Sequence, residues 1–185
     1  MRWRNHQNGY GLIAIALHWS IAVLVITLFA LGLWMTGLDY YDPWYRRAPD
    51  LHRGFGILAG LLVCLRLIWR MVDRRPGVVP GRSAIEKALS SQAHRLLAVW
   101  PLLLVVSGYL ISTADGRALS VFGWFQIPAL VTGIDNLEDL AGDIHLALAI
   151  GLMALAAIHA GAAFKHQFIG RDGTLVRMLR PHDHH

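Results

Sequence analysis

The sequence predicts an all-α integral membrane protein: a four-helix bundle in which residues 1–185 form a single domain and both termini are cytoplasmic. Three observations carry this prediction. The chain is 55% hydrophobic and only 16% charged, against about 25% charged residues in soluble domains. Apolar runs of about 20 residues, the length needed to cross about 30 Å of hydrocarbon, occur four times. The basic residues gather in alternate connections between those runs.

Taken in order, the spans fall at Leu12–Gly37, Gly54–Val72, Leu96–Thr113 and Ile144–Phe168. The first is read as retained rather than cleaved. Its apolar stretch is longer than the 7–15 residues of a signal core, and the small-residue triplet Ala30–Gly32 lies inside it rather than after it. The single cysteine, Cys64, lies in the middle of the second span, where it forms no internal disulfide. No CxxCH motif for covalent haem attachment is present. The stretch from Ala114 to Asp143 is long for a connection and carries LSVFGWFQIPALV, so it is expected to lie partly on the outer interface as a cap. Residues 174–179 are expected to form a short interfacial helix on the opposite side.

Charge sets the expected orientation. Twelve basic residues lie in the N-terminal tail, the segment around residues 70–95 and the C-terminal tail: Arg2, Arg4, Arg70, Arg74, Arg75, Arg82, Lys87, Arg95, Lys165, Arg171, Arg177 and Arg180. The other two connections hold Arg46, Arg47, Arg53 and Arg117 against eight acidic residues. The positive-inside rule then places both termini and the middle connection in the cytoplasm. A pI near 9.9 reflects this asymmetry and does not argue for nucleic-acid binding. The aromatic groups Tyr40, Tyr41, Trp44 and Tyr45, then Phe122, Trp124 and Phe125, suit an outer interfacial belt.

Four histidines sit within or at the edges of the spans. His145 and His159 are fourteen residues apart on one helix, a rise of about 21 Å that returns to nearly the same face. His18 lies about 9 Å into the first span and His159 about 13 Å from the end of the fourth, so both fall in the cytoplasmic half. His52 and His145 begin the second and fourth spans at their outer ends. Topology alone therefore pairs His18 with His159, and His52 with His145.

Polar groups in lipid are costly and usually functional. A lone intramembrane histidine can do no more than hydrogen-bond a neighbouring helix, a contact averaging about 0.6 kcal/mol; four in depth-matched pairs point to ligation. Two axial imidazoles suit a six-coordinate b-type haem, and the arrangement implies two such haems. Zinc is the rival metal, but it wants three or four clustered ligands rather than separated pairs. Gly54, Gly56 and Gly60 after His52, and Gly142 and Gly151 around His145, are candidates to line a slot for a flat cofactor. The Gly56–Gly60 spacing also fits a plain helix-contact face.

Further polar residues surround this pattern. Arg66 needs an anionic partner or other acceptor, which a haem propionate, a quinone head or a backbone carbonyl supplies. His94 opens the third span and is an alternative ligand to His18, or an interfacial or substrate-site residue. His166, seven residues after His159 and beside Lys165, is placed to bond a quinone oxygen and pass a proton, or is an ordinary interface histidine. His182, His184 and His185 follow Pro181 and read as a solvated tail.

These residues carry a resemblance. LHW at His18, LHRGFGILAGLLVCLRLIWR, AHRLLAVWPLLLVVSGYL, DIHLALAIGLMALAAIHAGAAFKHQF and the ending DGTLVRMLRP resemble the bacterial cytochrome b-561 family over nearly the whole chain. The resemblance implies a multi-pass protein of the bacterial inner membrane with two b haems on His18, His52, His145 and His159. One branch of that family is a superoxide oxidase, which takes electrons from periplasmic superoxide and reduces ubiquinone near the cytoplasmic side. On that analogy His166 contacts the quinone, and His94 also falls on a family histidine.

The expected function is thus electron transfer from an outer one-electron donor to quinone, as a superoxide:quinone oxidoreductase. One feature opposes the superoxide assignment. An anionic substrate is steered by positive potential, and the outer connections carry four positive against eight negative charges, with Asp135, Glu138, Asp139 and Asp143 clustered before His145. Arg46, Arg47, Arg53 and Arg117 could still form a local positive funnel. The alternative is an electron-transfer module, or membrane subunit, that takes electrons from a basic periplasmic redox protein. A non-redox membrane protein without haem is the remaining possibility.

Overall fold

A computed structural model describes residues 3–7, 9–74, 76–77 and 83–181. Arg2, Arg75, Arg82, His182, His184 and His185 lie outside the described residues. Four long helices dominate: α1 (Leu12–Met35), α2 (Arg47–Val72), α3 (Ala84–Thr113) and α4 (Leu137–Phe168). All four are long and apolar enough to cross a membrane. Strands β1 (Leu119–Val121) and β2 (Phe125–Ile127) form an antiparallel hairpin, and α5 (Val176–Leu179) is a short final helix.

Three helices begin well before the predicted apolar spans, because polar first turns extend them beyond the hydrocarbon-length core. α3 starts at a reciprocal cap: the Glu86 amide donates to the Ser83 hydroxyl at 3.2 Å, and the Ser83 amide donates to the Glu86 carboxylate at 3.0 Å. α4 carries Glu138 and Asp139 in its first turn, where the helix dipole favours negative charge. α2 likewise places Asp50 near its start. His52, His94 and His145 consequently lie one to three turns inside their helices rather than at the ends.

The chain divides into two compact units, each crossed by all four long helices. Unit 1 takes the described residues of Met1–Ile21, Leu62–Val99 and Met153–His185. The N-terminal segment is clasped to the end of α2: the Asn5 amide donates to Asp73 Oδ2 at 2.9 Å, and Asn5 Oδ1 accepts from the Gly11 amide at 2.8 Å. After α4, Arg171 and Gly173 adopt positive φ values of 50° and 71°, turning the chain into α5. The expected helix at 174–179 is thus found at Val176–Leu179, where Trp19 Nε1 donates to the Met178 carbonyl at 2.7 Å.

Unit 2 takes Ala22–Leu61 and Trp100–Leu152. The connection from Ala114 contains the hairpin and is closed by the start of α4. Tyr109 ties it down, donating its hydroxyl to the Pro128 carbonyl at 2.7 Å and accepting from the Leu130 amide at 2.8 Å. At the hairpin turn Phe122 sits at φ 53°, an unusual conformation for a bulky residue. Its ring packs on Phe55, with centroids 5.1 Å apart, and fills the space above Gly54. A Cβ at Gly54 would come within 2.6–2.8 Å of that ring, so the hairpin cap requires glycine there.

Outside these contacts the long helices turn apolar side chains outward. Val23, Ile26, Leu61, Leu65, Ile68, Val106, Ile150 and Ile158 are all exposed, the inverse of a soluble surface and the pattern expected against lipid. Cys64 is free and exposed.

Candidate functional site

The sequence-predicted histidines form two pairs, one within each unit. In unit 1 the His18 ring of α1 faces the His159 ring of α4, with centroids 6.4 Å apart and planes at 80°. In unit 2 the His52 ring of α2 faces the His145 ring of α4, with centroids 6.1 Å apart and planes at 71°. These are the pairs that topology predicts.

The separations can be tested against ligation. An imidazole bound through one ring nitrogen at about 2 Å places its centroid about 3 Å from the metal, so one metal between two imidazoles sets the centroids about 6 Å apart. Both pairs meet this span. His94 does not: its centroid is 5.1 Å from that of His159, too close to share a metal end-on. The geometry therefore favours His18 over His94 as the partner of His159. Among the described residues no cluster of three or more His, Cys, Asp or Glu could hold a metal ion.

The pairs differ in their surroundings. His145 Nδ1 lies 2.9 Å from the hydroxyl of Ser107, a buried residue of α3. His18 Nδ1 is buried without a hydrogen-bond partner, and His52 Nδ1 makes no well-formed hydrogen bond, although the Leu28 carbonyl is within its reach. Arg66 acts electrostatically on both His18 and His159. With Arg70 it opens onto a small pocket lined otherwise by apolar side chains of α1, α2 and α3.

The glycines of the expected slot differ in what faces them. Gly54 is covered by Phe122, and a Cβ at Gly60 would meet Val105 at 3.0 Å. At Gly151 it would meet the Trp100 indole at 2.8 Å, where Trp100 Nε1 also donates to the Leu148 carbonyl at 3.0 Å. These three glycines serve cap and helix contacts, and only Gly56 and Gly142 of the original set face open space. Two others matter that sequence reading missed. A Cβ at Gly32 would lie 3.2 Å from His52 Cε1, and one at Gly108 would lie 3.2 Å from His145 Cε1. Each imidazole of this pair thus rests its edge on bare backbone of a neighbouring helix.

His166 is close to a carboxylate. Its Nδ1 is 3.3 Å from Asp172 Oδ2, and Asp172 Oδ1 accepts from the Thr174 amide at 3.0 Å. Asp172 was not singled out in the sequence, since only the turn at Arg171–Gly173 brings it back to α4.

The sequence comparisons bear on what these pairs hold. The family model described as prokaryotic cytochrome b561 matches residues 9–181. This chain belongs to the prokaryotic cytochrome b561 family. It is similar to cytochrome b561 homolog 2 of Escherichia coli (strain K12), at 42% identity over 97% of this chain and 95% of that protein. Cytochrome b561 homolog 1 of the same organism is 30% identical over 94% of this chain and 98% of its own length. A protein named probable superoxide oxidase CybB, from Yersinia pestis, is 27% identical over 92% and 95%. As a cytochrome b561, the chain is a multi-pass transmembrane haem b electron carrier.

Proposed function

We propose that this cytochrome b561 carries two b haems, one between His18 and His159 and the other between His52 and His145, and passes electrons from superoxide outside the bacterial inner membrane to ubiquinone. The observation that carries the reading is the pair of imidazole separations, 6.4 and 6.1 Å, both matching a shared axial metal. The distribution of basic residues supports an orientation with the basic tails and middle connection toward the cytoplasm.

Bound haem iron supplies one-electron redox chemistry. The protein's own groups do the rest. Four imidazoles hold the metals, apolar helix faces exclude water, and Arg66 gives the His18–His159 site a positive charge suited to a propionate or a quinone oxygen. His166, with Nδ1 on Asp172, is placed to deliver a proton. Overall, two superoxide anions, one quinone and two protons give two dioxygen molecules and one quinol, so electrons and charge balance.

A second reading is favoured by the outer charges. Arg53 is paired with Asp50, and Arg117 with Asp115, which offsets two of the four outer arginines. Asp115 is held below the ordinary carboxylate range by the Arg117 amide and guanidinium, so it remains ionised at neutral pH. Asp135, Glu138, Asp139 and Asp143 are all exposed. This surface suits a basic redox protein as donor better than a small anion.

Rapid mixing of the oxidised protein with superoxide, followed by haem absorbance with and without ubiquinone, separates the two. Fast reduction reversed by quinone establishes the superoxide:quinone oxidoreductase. Haem that stays oxidised until a basic redox protein is added establishes the carrier.

A further inference from the structure

The two facing imidazoles of unit 2 are seated alike, and each has a backbone carbonyl within reach, Leu28 for His52 and Leu104 for His145. Each rests on a glycine, Gly32 for His52 and Gly108 for His145, with the ring edge 3.2 Å from where a Cβ would stand. This close fit limits rotation of either ring. Among the described residues, of the two Nδ1 atoms only that of His145 has a side-chain partner: Ser107 Oγ, 2.9 Å away. Ser107 is 5% exposed and lies one residue before the glycine that seats the same ring.

The serine's other contacts bear on the direction of this bond. Ser107 Oγ lies 3.0 Å from the Leu103 carbonyl and 3.1 Å from the Leu104 carbonyl, and carbonyls only accept. A hydroxyl proton given to either carbonyl bonds the α3 backbone one turn back and leaves the oxygen to accept. An imidazole that ligates through Nε2 carries its proton on Nδ1, and the Ser107 oxygen stands where it can accept it. A neutral imidazole protonated at Nδ1 has its lone pair on Nε2, the nitrogen a metal needs. The reverse tautomer would put a proton in the metal's place.

We propose that Ser107 is a positioning residue that fixes the tautomer and ring orientation of His145 and strengthens this imidazole as an electron donor to its haem. The inference rests on His145 being an axial ligand. An Nδ1–H held by an acceptor raises the basicity of the opposite nitrogen, which favours the oxidised metal. Ser107 therefore lowers the reduction potential of the haem on His52 and His145 and leaves the other haem alone.

The test uses the purified, haem-loaded protein and three variants: Ser107→Ala, Ser107→Thr and His145→Ala. Redox titration and low-spin EPR follow each haem separately, and the haem on His18 and His159 reports intact folding. Ser107→Ala is expected to raise one potential by about a tenfold change in the reduction equilibrium, about 59 mV for a one-electron couple, and to shift that haem's EPR signal. Ser107→Thr, which keeps the hydroxyl, is expected to restore both. Unchanged potentials and EPR in Ser107→Ala, with one haem lost in His145→Ala, would overturn the role of Ser107. Two haems retained in His145→Ala would instead overturn the ligand assignment beneath it.

Discussion

The His18–His159 and His52–His145 pairs share α4 and have nearly the same ring separation, yet the protein surrounds them in different ways. At His52–His145 the control is mainly close-range: bare backbone at Gly32 and Gly108 seats the rings, one buried hydroxyl orients one of them, and Arg53 adds the smallest of the influences on His52. At His18–His159 it is electrostatic: Arg66 acts on both rings, and a third imidazole, His94, stands 5.1 Å from one of them. A positive charge near a metal centre disfavours its oxidised form, whereas a stronger donor ligand favours it. On the proposed ligation, the two environments would push the haem potentials apart, with the His18–His159 site the better electron acceptor. That is the order electron flow toward His18–His159 would need.

The largest effects should come from the ligands. Replacing either member of a pair with alanine is expected to remove one haem of two, seen as half the pyridine-haemochrome signal and one surviving wave in a redox titration. If His18→Ala kept both haems while His94→Ala lost one, the unit 1 pair would be misassigned. His94→Ala is expected to keep both, with its effect confined to the potential of the His18–His159 haem.

Neutralising the guanidinium is the next step down. Arg66→Gln should lower the potential of the His18–His159 haem, by roughly 1–2 kcal/mol for a charge several ångströms away in a partly polar interior. An equal fall at both haems would break the contrast between the sites. The glycines give smaller effects. Gly108→Ala and Gly32→Ala place a methyl 3.2 Å from a ring that must give way, so each should perturb the EPR signal of the His52–His145 haem. Gly56→Ala meets nothing within 4 Å in the described structure. It should leave that signal unchanged unless the cofactor itself occupies the space, in which case haem content falls.

Part of this contrast was open to sequence reading. Arg66 stood out because an arginine in an apolar run is costly, and the four histidines for the same reason. Ser107 did not stand out: a serine in a transmembrane helix commonly bonds its own backbone, and only packing of α3 on α4 turns its oxygen toward His145. Gly32 and Gly108 were missed because they flank no histidine in the chain, while Gly54, Gly60 and Gly151, chosen for nearness to His52 and His145, meet Phe122, Val105 and Trp100. The early start of α3 was legible in Ser83–Glu86, a capping pattern overlooked in favour of hydropathy. Glu138 and Asp139, read as part of a docking surface, also serve the first turn of α4.

The sequence by itself determined the membrane class, the number of long helices and the pairing of the histidines. Each follows from a one-dimensional property: apolar length against bilayer thickness, and residue offset against helix rise. Tertiary structure decided what a one-dimensional pattern does not encode, namely which atoms of different helices come within bonding distance. The seating of His52 and His145 on glycine, the hydroxyl on one Nδ1, the Phe122 wedge over Gly54 and the return of Asp172 to His166 all depend on helix rotation and turn conformation. Those are fixed only when side chains from several elements compete for the same space.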